Sequence, residues 1–139
     1  MHQKFDRSFD SLSAILAWSD EFFEGRQIDP AARYTVDLAI DELFSNMVKY
    51  NAHSPSPIEL SLALSDHRVT VTLSDYQSKP FDITQPRPVD ITLSVQDRPI
   101  GGLGIHLVKE MVDSLVYDYH DGRSTITFTK ITGNNDARD

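Results

Sequence analysis

Val36 to Tyr50, VDLAIDELFSNMVKY, is the stretch on which the reading of the fold turns. Val36, Ile40, Leu43 and Met47 recur at the helical period, which predicts one amphipathic helix with that stripe buried. Glu42 and Asn46 stand four residues apart, hence roughly 40° apart around the axis and one turn apart along it. Both fall beside the apolar stripe, where a helix leaves its core and meets the edge of a pocket. A carboxylate in that position can accept a proton, and a carboxamide oxygen can ligate a hard cation such as Mg²⁺. Two ordinary polar residues on a half-exposed helix face are the plainer reading, and what lies downstream decides between them.

Asp29-Pro30 supplies the start of this helix, with Asp as N-cap and Pro in the first turn, where its missing N–H costs nothing. His53-Ser54-Pro55-Ser56-Pro57 breaks it. Upstream, Asp10 or Ser11 can cap a helix with apolar positions Leu12, Ile15, Leu16, Phe22 and Phe23, closed by Gly25. Lys4 to Arg7 reads as a short edge strand.

Downstream, Ile58, Leu60, Leu62 and Leu64 alternate with polar or small residues, and so do Val69, Val71 and Leu73. With Ser65-Asp66-His67-Arg68 as the turn, this predicts an antiparallel hairpin buried on one face. Asp75 shares the parity of Val69, Val71 and Leu73. Either it points inward, where a carboxylate needs donors, or the strand has already ended and Asp75 is solvated.

From Tyr76 to Ile100 the pattern dissolves, punctuated by Pro80, Pro86, Pro88 and Pro99, with a short element hinted at Ile91 to Val95. A stretch this long in a small domain reads as a lid, a binding loop or disorder. It runs into Gly101-Gly102-Leu103-Gly104 and a helix with Leu103, Leu107, Val108 and Met111 on one side. Glycines opening a helix expose backbone N–H groups at the positive end of its dipole, a ready anion site, although they can equally be a turn. Leu115 to Tyr119, a turn at Asp121-Gly122, and Thr125 to Lys130 predict a second hairpin. The sum is an α+β two-layer sandwich: a mixed, mainly antiparallel sheet covered by about three helices.

With 139 residues the chain has the size of one domain, assigned here to residues 1–132 with a frayed tail over 133–139. A net charge of −8 and the absence of any Lys/Arg run argue against a nucleic-acid partner. There is no cysteine, so thiolate metal sites are excluded, and no apolar run long enough for a signal peptide or membrane span is found. A cytoplasmic location is expected. The five histidines show no metal-ligand spacing.

Asp41-Glu42-Leu43-Phe44-Ser45-Asn46, Leu73-Ser74-Asp75 and Gly101-Gly102-Leu103-Gly104-Ile105-His106-Leu107-Val108, in that order, resemble the N-box, G1 and G2 motifs of the GHKL-type (Bergerat) ATP-binding domain. The likeness is to the anti-sigma-factor serine/threonine kinases of bacterial partner-switching systems, and it covers roughly residues 3 to 131. It implies ATP and Mg²⁺ as ligands, Glu42 as general base, Asn46 as Mg²⁺ ligand and Asp75 as acceptor from the adenine amino group. It further implies phosphate contacts at Gly101, Gly102, Leu103 and Gly104, and Thr127 assisting adenine binding. Arg98 fits a γ-phosphate contact or a solvated loop residue. The implied partners are a STAS-type anti-sigma-factor antagonist as phosphorylation substrate and a sigma factor or similar regulator. A homodimer through the N-terminal strand edge is compatible with this.

The chain departs from the pattern in two ways. Gln77 stands where the family usually has glycine, and the loop to Pro80-Phe81-Asp82 is one residue longer. If Ile126 and Phe128 are core, Thr127 faces away from the ligand. A partner-binding module without phosphotransfer therefore stays open as an alternative, as does a bare ATPase. Histidine kinases share the domain, but theirs follows a phospho-accepting helical segment that the single helix before the central one does not match.

Overall fold

The computed structural model describes residues 1–76 and 102–132. In chain order the elements are β1 (His2–Phe5), α1 (Ser11–Phe23), α2 (Pro30–Tyr50), β2 (Ile58–Ser65), β3 (Arg68–Asp75), α3 (Gly102–Met111), β4 (Ser114–His120) and β5 (Arg123–Ile131). The five strands form one sheet in the order β1-β2-β3-β5-β4. Every neighbouring pair is antiparallel, so the described sheet is antiparallel throughout. The expected element at Ile91 to Val95 and the expected tail lie outside the described residues.

Both hairpins turn in two residues. Asp66 and His67 join β2 to β3 with φ of 54° and 60°, and Asp121 and Gly122 join β4 to β5 with φ of 49° and 81°. Left-handed backbone at both central positions matches the strand twist, and Asp and Gly tolerate it. Ser65 pairs with Arg68 and His120 with Arg123, which fixes the register of each hairpin.

The register decides which side chains meet the helices. Ile58, Leu60, Leu62, Val69, Val71, Leu73, Ile126 and Phe128 all point to one face and form a single core with α1, α2 and α3. The opposite face, with Thr70, Thr72, Thr127 and Val116, is half-buried or exposed. Each large side chain buried in the core contributes about 1.5–3 kcal/mol, and these define the inner layer.

α2 begins as its sequence directs, with Asp29 accepting from the Ala31 N–H and Pro30 at the first position. Its stripe of Val36, Ile40, Leu43 and Met47 is buried, and Phe44 and Ala39 widen it. α1 buries Ile15, Phe22 and Phe23 as expected and departs at one position, while α3 turns a different side to the core. Leu16 is 51% exposed whereas Trp18 is 6% exposed and meets Phe5 edge-on, with ring centroids 5.5 Å apart. In α3, Leu107 is 48% exposed, and Ile105 and Val108 supply the core side, followed by Val112 just past the helix end. Among the described residues no helix is long and apolar enough to cross a membrane.

Candidate functional site

α2 carries Glu42 and Asn46 towards the same end of the fold, and the two residues differ in environment. Asn46 is 2% exposed, and its Nδ2 is buried with no hydrogen-bond partner among the described residues. Buried amide donors are nearly always paired, because an unpaired one costs about 1–3 kcal/mol. A buried carboxamide nitrogen without a partner among the described residues, one turn from a carboxylate, makes this end of α2 the candidate site.

Glu42 is half-buried on the flank of the same helix. Its carboxylate lies against Gly104 in the first turn of α3, so closely that a Cβ at Gly104 would run into Glu42 Oε1 and Cδ. A side chain at position 104 would have to displace this carboxylate. Loss of water around the carboxyl raises its pKa above the ordinary glutamate value; neighbouring Asp41 adds to the rise and Lys49 opposes it. A carboxylate with a raised pKa suits proton transfer.

Asp75 ends β3 pointing inward, as strand parity predicts, and is 4% exposed. It is not solvated. The Arg7 guanidinium pairs with it through Nη2, and both side chains are almost entirely buried. Arg7 also donates from Nη1 to the Met47 carbonyl on α2, at 3.3 Å. Sequence reasoning misses Arg7, which it places only as the last residue of an edge strand; β1 in fact ends at Phe5, and Arg7 sits on the bend beyond it.

The remaining expected site residues divide. Gly102 and Leu103 lie in the backbone of α3, whose N-terminal turn meets Glu42 through Gly104. Arg98 and Gly101 lie outside the described residues, as does Gln77. Thr127 is a correction: Ile126 and Phe128 are fully buried, so Thr127 lies on the open face of the sheet beside Thr72, with the two hydroxyls 3.5 Å apart. The β5 residue that faces inward beside Asp75 is Ser124, its register partner and 6% exposed. Alternation from Ile126 was the signal that could have found it.

These positions fit a nucleotide and a cation on the structure's own terms. The fit rests on a glycine cradle against a carboxylate, a buried carboxamide whose oxygen is the atom a cation would take, and an inward carboxylate at a strand end. Among the described residues no three His, Asp or Glu side chains gather as a metal site. A cation at Asn46 would draw its other ligands from phosphate oxygens and water.

The family model for the histidine kinase-like ATPase domain matches residues 5–130. The chain belongs to the histidine kinase-like ATPase domain family. A curated member similar to it is the serine/threonine-protein kinase BtrW of Bordetella bronchiseptica, 28% identical over 99 residues, which span 70% of this chain and 69% of BtrW. The solved RsbU and RsbW domains of a Mycobacterium tuberculosis protein superpose with a TM-score of 0.69 at 16% identity. That match covers 95% of this chain and 31% of the other. A blue-light activated histidine kinase domain from Erythrobacter litoralis superposes with a TM-score of 0.53 at 12% identity, over 88% of this chain and 60% of the other. Identities this low speak for the histidine kinase-like ATPase fold alone.

Proposed function

We propose that this histidine kinase-like ATPase domain is an ATP- and Mg²⁺-dependent serine/threonine protein kinase acting on a partner protein. The observation that carries the reading is the Glu42 carboxylate docked on the first turn of α3 at Gly104, with Asn46 buried one turn further along α2. Asn46 would hold Mg²⁺, which supplies charge neutralisation of the phosphates. The first-turn backbone of Gly102, Leu103 and Gly104, with Gly101 and Arg98, would face the phosphates. Asp75 would accept from the adenine amino group. Glu42 takes the proton of the incoming Ser or Thr hydroxyl, whose oxygen forms the new bond to the γ-phosphorus as the bond to the ADP oxygen breaks.

The likeness to BtrW supports a serine/threonine acceptor over histidine. The partner in this reading is a STAS-type anti-sigma-factor antagonist, released on phosphorylation, after which the kinase binds a sigma factor or similar regulator in the cytoplasm. Glu42→Gln should lower phosphotransfer about 100-fold or more while leaving ATP affinity unchanged, as measured with radiolabelled ATP and by calorimetry. Normal phosphotransfer by this variant would remove Glu42 from its role.

A second reading, a partner-binding module without phosphotransfer, draws on one observation: the carboxylate assigned to adenine is already engaged by Arg7. It expects a stoichiometric complex with the antagonist and no label transferred from ATP.

A further inference from the structure

Arg7 follows β1 and reaches Asp75, 68 residues away in sequence, with its side chain 3% exposed. Its Nη1 bond to the Met47 carbonyl places the same guanidinium on the turn of α2 that carries Asn46. One buried side chain thus ties the end of β3 to the cation-facing turn of α2. Its third kind of N–H, at Nε, is buried and unpartnered among the described residues, like Asn46 Nδ2 nearby in sequence to Met47. A guanidinium has five N–H donors in a rigid fork, so two anchored nitrogens fix the plane and leave the third donor in a set direction. A buried donor on a charged group is costly while it lacks a partner, and a water or a ligand atom would supply one.

The arrangement does not exclude a base. An ionised carboxylate offers about four lone-pair sites on two oxygens, and Arg7 reaches it at Oδ1. The Met47 anchor also argues against Arg7 as a plug. A side chain held at both ends is part of the wall and not a bolt waiting to slide.

We propose that Arg7 is a positioning residue for base recognition. It fixes the Asp75 carboxylate at the floor of the site, so that the pair, and not the carboxylate alone, presents acceptor and donor side by side to the amino-bearing edge of a purine. The proposal rests on the nucleotide reading given above and adds to it the residue that sets the choice of base.

The test uses calorimetry on the full chain with Mg²⁺, comparing ATP, inosine triphosphate (carbonyl in place of the amino group) and base-free tripolyphosphate. The variants are Arg7→Met and Arg7→Lys, each checked for fold by circular dichroism. Arg7→Met should weaken ATP about tenfold or more, with tripolyphosphate unchanged. Arg7→Lys keeps the charge but not the fork, and should fall between wild type and Arg7→Met while losing part of the preference for ATP over inosine triphosphate.

Equal weakening of ATP and tripolyphosphate would reduce Arg7 to a purely structural role, and tighter ATP binding would make it a competitor of the base. Should Arg7→Met fail to fold, the lysine variant decides alone: an unchanged preference for ATP overturns the proposal. Wild-type protein that binds none of the three ligands would overturn the nucleotide reading itself, and with it the role of Arg7. Wild-type protein that binds ATP while both variants match it overturns only the latter.

Discussion

At the contact of α2 with α3, Glu42 rests half-exposed on Gly104, and Asn46 keeps a buried amide nitrogen without a partner among the described residues. At the end of β3, Asp75 is closed on Arg7, and both are excluded from solvent. The first region holds polar groups with unspent capacity, at a cost in stability. The second region ties its two charges to each other, although Arg7 Nε is likewise without a partner among the described residues. Under the proposed function the first region would serve proton transfer and the cation, whereas the second would hold a carboxylate in place.

This contrast can be broken most directly through Asp75. Asp75→Ala leaves the Arg7 charge buried and alone, and should lower stability by about 3–5 kcal/mol in urea denaturation. A loss near zero would mean that the pair contributes nothing to the fold and that the two regions are alike. Asn46→Ala tests the other side. Removing an orphaned amide should change stability by no more than about 1 kcal/mol, yet Mg²⁺-dependent ATP affinity should fall about tenfold or more by calorimetry. A large stability loss there would place Asn46 among the structural residues instead.

The smallest expected effect sharpens the comparison at Glu42. Burial raises this carboxyl above its ordinary value, so the folded chain binds the proton more tightly than the unfolded chain. The stability that comes with the protonated form is therefore present below the ordinary glutamate pKa of 4.5 and is lost as pH rises through the raised folded value. Glu42→Gln is uncharged at every pH. It should raise the melting temperature by about 1–2 °C at pH 7.5 and leave it unchanged at pH 4. A lower melting temperature at pH 7.5 would show that the α3 N-terminus stabilises the ionised carboxylate by more than burial destabilises it.

The central helix was legible because its apolar stripe repeats at the helical period with a clear cap, and Asp75 because strand alternation fixes its face. α1 was less so: Leu12, Ile15, Leu16, Trp18 and Phe22 offer more apolar positions than one face can use, and packing on Phe5 selects Trp18 over Leu16. α3 has the same excess, with Leu107 left on the outside. Thr127 was placed by likeness to a motif, although the alternation of Ile126 and Phe128 argued for Ser124. Arg7 could not be read at all. Its partners lie on β3 and α2, and no local pattern joins a bend after an edge strand to a carboxylate so far along the chain.

The two-residue turns at Asp66-His67 and Asp121-Gly122 bear on the order in which the molecule assembles. Hairpins closed so tightly form within microseconds, each needing only local contacts. The junction of β3 with β5 is a different event, since it must close a long loop before any pairing rewards it. Asp75 stands on one hairpin and Ser124 on the other, brought opposite each other only at that junction. The inward floor of the site is therefore a late product of folding, and whatever holds β3 against β5 guards it.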